Sequence, residues 1–289
     1  MKKILVSGGT GQLGQEITHL QKKFPQYHFD IMDRSQLDLE SEQSIKEVLS
    51  TKNYDYFINA GAYTAVDKAE TDAATAYAVN GMALHHICNN LPDNCTLIHV
   101  SSDYVYHIES ENPLRETDTC NPQGIYAKSK YQGEQFVISQ IPNSIILRTS
   151  WVYSSYGNNF VKTMLRLGPD KDKLTIVSDQ VGTPTYAKNI ATTILSIIHT
   201  LDTQKSGEHR YGIYNYTDGE STNWADFARY IFEVSDVDCH VDNTTTEAYG
   251  APAPRPLWSV LSTDKIKQDY AISPPSWKES LQDCLRQLG

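Results

Sequence analysis

Ile4-Leu5-Val6, followed by Gly8-Gly9-Thr10-Gly11-Gln12-Leu13-Gly14, is the stretch on which the fold of this chain turns. Three apolar residues run into a glycine turn, and Ile17, Leu20 and Phe24 then recur at helical spacing. Strand, glycine turn, helix is the context in which a glycine motif binds a dinucleotide. Glycines permit the sharp turn and close backbone approach, and the helix N-terminus offers free N–H groups to a pyrophosphate. The spacing is Gly8, Gly11, Gly14 and not the tighter G-x-G-x-x-G, so an ordinary glycine-rich turn is the competing reading. On the dinucleotide reading, Gly8, Gly11, Gln12 and Leu13 lie against the cofactor.

Downstream, a second strand, Phe29–Met32, ends at Asp33-Arg34. An acid about twenty residues after the glycines holds the adenosine ribose, whereas an arginine there accommodates a 2′-phosphate. With both present, NADH and NADPH stay open. Asp38 either reaches the adenine beside Leu39 or caps the following short helix. A third strand, Tyr56–Ile58, ends in Asn59-Ala60-Gly61-Ala62, where small residues let a cofactor lie against the backbone. A long helix is expected from about Val66 to Asn90, its His85-His86 pair read as solvated surface because adjacent helical residues point apart. The fourth strand, Thr96–Val100, delivers Ser101-Ser102-Asp103-Tyr104 to the same carboxyl edge, with His99 read as core.

A polar loop then leads to Tyr126-Ala127-Lys128-Ser129-Lys130. Tyr126 and Lys130 are four apart and project from one helix face, one turn apart. A phenol beside an ammonium is a proton donor whose anion is stabilised, which is what ketone reduction needs once hydride reaches the carbonyl carbon. A hydroxyl at a strand end, such as that of Ser102, can hydrogen-bond the same oxygen; it can equally be a cap.

Ser144–Leu147 forms a fifth strand. Beyond it the pattern loosens: a helix opens at Phe160, a strand runs Leu174–Val177, a helix covers about Lys188–Thr200, and Ile213-Tyr214 returns to the sheet. A helix near Trp224, a proline loop and two short helices close the chain. Alternating strands and helices predict an α/β fold, a Rossmann-type doubly wound parallel sheet with a smaller mixed α/β substrate-binding lobe. The expected division is residues 1–150 for the NAD(P)-binding domain, with a returning segment near 182–216, and 151–289 mainly for the second lobe.

Twenty-five basic against 35 acidic residues give a net charge of −10, which disfavours nucleic acid or an anionic membrane as partner. No export signal is evident and no apolar run reaches spanning length. Five scattered cysteines argue for reduced thiols, so a cytoplasmic location is expected.

With Ser102, Tyr126 and Lys130 behind a nucleotide fingerprint, the chain resembles the extended short-chain dehydrogenases/reductases and, among them, the dTDP-4-dehydrorhamnose reductase family. The resemblance is carried by Gly11-Gln12-Leu13-Gly14, the block Ala62 to Glu70, Ser102-Asp103-Tyr104-Val105-Tyr106, and Arg148 to Tyr153. It continues through Gly157-Asn158-Asn159-Phe160-Val161, Ser178-Asp179-Gln180, Gly182-Thr183-Pro184-Thr185 and Arg255-Pro256, so nearly the whole chain is covered. Serine stands at 102 where the family usually has threonine, which keeps the hydroxyl. His107-Ile108-Glu109 replaces the family's usual Asp-Gly after Tyr106.

The resemblance implies hydride transfer from NADPH or NADH to C4 of a dTDP-4-keto sugar. Ser102 would hydrogen-bond the carbonyl oxygen, Tyr126 protonate it, and Lys130 hold the cofactor ribose and favour tyrosine ionisation. Asp103, Tyr104 and Trp151 would face the sugar, and Asn159 and Arg255 its nucleotide. One group of the family forms a magnesium-linked dimer through acidic residues. Glu16 matches one ligand, but no acidic pair follows near 187–195, so no metal site is expected, and a homodimer stays open. A dehydratase would need a glutamate where Tyr104 stands. An epimerase shares the serine, tyrosine and lysine, and a non-catalytic regulatory subunit of the methionine adenosyltransferase type shares the fold.

Overall fold

In the computed structural model, which describes residues 1–204 and 210–288, six parallel strands form one central sheet. In chain order the first elements are β1 (Lys2–Ser7), α1 (Gln12–Leu20), β2 (Tyr27–Met32), α2 (Glu42–Thr51) and β3 (Tyr56–Asn59). They are followed by α3 (Val66–Ala69), α4 (Ala73–Tyr77), α5 (Ala83–Asn90), β4 (Thr96–Ser102), α6 (Gly124–Gln140) and β5 (Ser144–Thr149). The second half holds β6 (Val152–Tyr153), α7 (Phe160–Leu167), β7 (Lys173–Val177), β8 (Val181–Gly182), β9 (Thr185–Tyr186), α8 (Ala187–Thr203) and β10 (Gly212–Asn215). It ends with β11 (Thr222–Asn223), α9 (Trp224–Val234), β12 (His240–Thr244), α10 (Thr246–Tyr249), α11 (Asp264–Tyr270) and α12 (Trp277–Leu288).

The sheet order is β10-β5-β4-β3-β1-β2, so the chain runs outward from β1 in both directions. Parallel strands covered by helices on both faces read as near-continuous apolar runs, as Ile4-Leu5-Val6 and Ile145-Ile146-Leu147 do. One face packs Ile4, Val6 and Ile58 against Ile17 of α1, Ile194 of α8 and Ile266 of α11. The other packs Leu5, Phe57 and Leu97 against Ile45 of α2, Ile87 of α5 and Val137 of α6. A third core, with Val161, Phe227, Ile231, Val241 and Leu281, joins α7, α9, β12 and α12 into a smaller unit around the parallel β7–β12 pair.

Gly8 shows why the opening turn demands glycine. Its φ is +74°, and a Cβ there would lie 2.8 Å from the Gly61 backbone. Gly14 is equally constrained, since a Cβ would stand 2.3 Å from the Gly8 carbonyl oxygen. The first helix therefore packs directly on the loop that ends β1.

Two expectations need correction. The single helix from Val66 to Asn90 is broken. Thr71-Asp72 interrupts it, with the Thr71 hydroxyl returning to the Lys68 carbonyl. Residues Ala78–Met82 then widen into a π turn. The strand β12 was not foreseen, because His240-Val241-Asp242-Asn243-Thr244 carries one buried apolar residue. Within the segment near 182–216, α8 and β10 make the expected return to the main sheet, while β8 and β9 at its start pair with β11 and β6 in small separate sheets. Residues 205–209 of that segment lie outside the described residues. The polypeptide also returns once more, through α11, which packs on the face of β10. Among the described residues, no helix is long and apolar enough to cross a membrane.

Candidate active site

A cleft of about 1020 Å³ opens along the carboxyl edge of β1, β3, β4 and β5, where open parallel sheets bind their ligands. At one end it is lined by Gly8, Thr10, Gly11, Gln12 and Leu13, at the other by Ser102, Asp103, Tyr104, Tyr126, Lys130 and Trp151. Ala60, Gly61 and Ala62 form the wall between.

The adenosine end departs from a simple reading of Asp33. Its Oδ1 accepts from Ser35 N at 2.8 Å and Ser35 Oγ at 2.6 Å, which holds the carboxyl below the usual range and turns it into its own loop. Asp33 is not part of the cleft lining, whereas Arg34, Asp38 and Leu39 are. Arg34 donates to Glu40 Oε1 at 2.6 Å and lies 3.6 Å from Asp38 Oδ1. Asp38 is not the cap of α2, because Ser41 accepts from Ser44 N in that position.

At the catalytic end, Ser102 closes β4 in extended backbone, and its Oγ accepts from Tyr104 N at 3.3 Å. Asp103 enters the short turn that follows, is 2 % exposed, and has Oδ1 3.0 Å from Ser102 Oγ. Burial pushes its carboxyl up to about 7, although hydrogen bonds to the charged form act the other way. The Tyr126 phenol lies beside Ser102 in the cleft lining, and the Tyr126 ring stands edge-on to Tyr104, with centroids 5.6 Å apart. Burial raises that phenol to about 12, so it is protonated at neutral pH and available as a donor. Lys130, one turn on, is brought down to about 8 by burial.

The Lys130 side chain is anchored on the strand that carries Ser102. The Lys130 ammonium donates to the Val100 carbonyl at 2.8 Å and lies 3.5 Å from His99 Nε2. Burial acts most strongly on the Tyr126 phenol, followed by Ser102 and Asp103. A buried polar row continues from His99: its Nδ1 faces Asn59 Nδ2 at 3.2 Å, and Asn59 Oδ1 accepts from Ser7 Oγ at 2.6 Å. Burial and the Lys130 charge keep His99 neutral. The register of β1, β3 and β4 aligns these three residues, a relationship invisible along the chain.

The helix that carries Tyr126 and Lys130 is seated by residues that sequence reasoning passed over. Asn80, in the π turn, donates to Ser129 Oγ at 3.1 Å and to the Tyr63 carbonyl at 3.0 Å, while its Oδ1 accepts from Tyr63 N. Gly133 lets α6 approach so closely that a Cβ would lie 2.2 Å from the Asn80 carbonyl oxygen. A π turn inside an otherwise helical run was the missing signal, and such turns recur at functional sites.

The remaining expected residues divide. Trp151 lines the cleft with φ +45°, and its indole stacks on Trp224 with centroids 3.7 Å apart. Arg255 donates to Asp67 Oδ2 at 2.8 Å and stands beside Tyr104, near the cleft without lining it. Asn159 is not part of the cleft lining but backs Gln12, which is. Its Oδ1 caps α7 by accepting from Lys162 N, and its Nδ2 donates to Gln12 Oε1 at 2.9 Å, so its neighbour Asn158 lines the cleft instead. Glu16 is buried with Oε1 accepting from Ser154 Oγ.

The residues present fit a dinucleotide. The Gly8 cradle has no room for a side chain, and two buried hydroxyls on the cleft wall, Ser101 Oγ and Thr149 Oγ1, have no protein partner. A hydroxyl, a phenol and an ammonium at the carboxyl edge of a Rossmann-type sheet define the class, a short-chain dehydrogenase/reductase of the extended kind. The model of the family described as RmlD substrate binding domain matches residues 1–289. The dTDP-4-dehydrorhamnose reductase of Aggregatibacter actinomycetemcomitans is 36% identical, over 98% of this chain and 98% of its own. Among solved structures, the dTDP-4-dehydrorhamnose reductase of Clostridium acetobutylicum superposes with a TM-score of 0.92 at 36% identity, covering 99% of each chain. The Bacillus anthracis enzyme of that name, in complex with NADP, does so with a TM-score of 0.92 at 32% identity, covering 99% of this chain and 100% of its own. The chain belongs to this reductase family.

Proposed function

We propose that the protein reduces the C4 keto group of dTDP-4-dehydro-L-rhamnose to give dTDP-L-rhamnose, with NADPH or NADH as reductant, in the synthesis of cell-surface polysaccharide. The observation that carries this reading is the meeting of Ser102 and the Tyr126 phenol on one wall of a cleft that begins at the Gly8 turn. When bound, the nicotinamide supplies hydride to the carbonyl carbon. Tyr126 gives its proton to the carbonyl oxygen as negative charge develops there, and Ser102 hydrogen-bonds the same oxygen. Lys130 holds the ribose from the floor of the cleft.

Residues 1–150, with α8 and β10, hold the cofactor, and most of the remainder forms the nucleotide-sugar side. Trp151 closes on the sugar, and Arg255 reads its diphosphate or base. The five free cysteines support a reducing, cytoplasmic setting. Mixing the protein with NAD(P)H and the 4-keto sugar nucleotide should deplete absorbance at 340 nm in proportion to rhamnosyl product. An unchanged absorbance with both cofactors would remove the reductase reading; the sugar nucleotide recovered intact would then leave the chain a binding subunit, and its isomerisation would make it an epimerase.

A further inference from the structure

Asp103 is the buried group that the proposed mechanism does not use. Its side chain is 2 % exposed, yet it lines the cleft, and Oδ2 has no hydrogen-bond partner while Oδ1 meets Ser102 Oγ at 3.0 Å. A buried carboxylate with one oxygen unsatisfied is costly, whereas the neutral acid leaves a smaller debt in the same place. The groups around it are Ser102 and Tyr104 on its own turn, Ser259 from the loop before α11, and Tyr126 from α6. The Ser259 hydroxyl lies 3.4 Å from the Val181 carbonyl and close enough to the Asp103 carboxyl to favour its charged form, an influence that burial outweighs. Arg255 and Asp67 act on Tyr104, and no ion pair is formed by the Asp103 carboxyl among the described residues.

The hydroxyl of Ser102 has one proton and two lone pairs. One lone pair is taken by Tyr104 N–H. If Asp103 is ionised, the Ser102 proton points at its carboxylate, and nothing is left to donate to a substrate oxygen. If Asp103 is protonated, its acid proton enters the second lone pair, and the Ser102 proton is freed to face the cleft. We propose that Asp103 is a positioning residue which enters the reaction as the neutral acid and turns the Ser102 hydroxyl toward the substrate carbonyl, so that its ionisation switches the site off. No bond to Asp103 is made or broken. The proton consumed comes from Tyr126, and the relay polarises Ser102 without transferring its proton.

This inference rests on the reductase reading, and one measurement separates the two. The carbonyl stretch of a protonated carboxyl can be followed by infrared difference spectroscopy of the ligand-free protein. The parent should show such a signal titrating with a midpoint at about 7, the position to which burial pushes both this carboxyl and that of Asp218, and Asp103→Asn should remove the Asp103 share of it. In turnover, kcat of the parent should fall on the alkaline side with that midpoint. Asp103→Asn, whose amide donates at every pH, should lose that limb and stay within about tenfold of the parent in mild acid, the scale of one altered hydrogen bond. Asp103→Leu, of similar size, should lose Ser102 alignment at all pH values with NADPH binding intact. The proposal is overturned if Asp103→Asn leaves the infrared signal of the parent unchanged, or if it keeps the parental limb. Absence of turnover alongside a titrating band that Asp103→Asn removes would instead overturn the reductase reading and leave the protonated Asp103 standing.

Discussion

Arg148 and Glu134 form a two-pronged ion pair between β5 and α6, with Nη2 to Oε2 at 2.6 Å and Nε to Oε1 at 2.9 Å. Both side chains are essentially buried, and the guanidinium also lies 4.6 Å from the centroid of the Tyr106 ring. Glu134 sits one turn beyond Lys130, so the pair pins the helix that presents Tyr126 and Lys130 to the strand beside Ser102. Breaking one partner leaves an uncompensated buried charge. Glu134→Ala should therefore destabilise the fold by about 3–5 kcal/mol, measured as the loss in urea unfolding free energy. Replacing both residues by apolar ones of similar volume should restore most of that loss; a single mutant as stable as the parent would show that the pair contributes little.

Tyr126→Phe removes only the hydroxyl and leaves the ring against Tyr104. The chemical step should slow by about 10²–10⁴-fold, the range for general acid catalysis, with NADPH affinity retained. Single-turnover reduction at the parental rate would eliminate Tyr126 as the donor. Because Ser102 shares the same oxygen, adding Ser102→Ala to Tyr126→Phe should cost less than the product of the two single effects.

Lys130 gives a pH dependence whose sign can be worked out. Burial brings its ammonium down to about 8, so the charged form is present below that value and is lost as pH rises through it. Affinity for NADPH, read by fluorescence titration, should weaken across that range and flatten in Lys130→Met. A parent whose affinity is level through this window would place the ribose contact on another residue.

Arg34 is held by Glu40 and Asp38 at the mouth of the adenosine end. A 2′-phosphate must compete with those carboxylates, so NADPH and NADH should be used with little preference. Arg34→Ala should weaken NADPH selectively by about 1.5 kcal/mol, the low end for a charge-assisted hydrogen bond because the side chain is exposed. Glu40→Gln should shift preference the other way. Equal losses for both cofactors in Arg34→Ala would show that it does not read the phosphate.

Arg255 reaches Asp67 across a large separation in sequence, joining the proline loop to α3. Arg255→Ala should bind NADPH normally and raise KM for the nucleotide sugar. A fall in cofactor affinity instead would break the division of the cleft into a cofactor side and a sugar side.

The chain alone determined those features that depend on near neighbours. The glycine turn could be read at Gly8 to Gly14 because close backbone approach excludes side chains there, and the parallel sheet from apolar runs such as Ile145-Ile146-Leu147. Tyr126 and Lys130 were legible as one helix face because four residues make about one turn. Tertiary structure alone decided what those side chains touch. Strand register, not spacing, aligned Ser7, Asn59 and His99 beneath Lys130 and sent its ammonium to the Val100 carbonyl. The same holds for Asn159, whose amide is used up by α7 and Gln12, and for Trp151, whose stacking partner Trp224 lies in another helix. Asp103 is the sharpest case. As a residue type it is a carboxylate, and only its burial beside Ser102, with one oxygen left unpartnered, favours the neutral acid, because desolvation is a property of the folded environment and not of the chain.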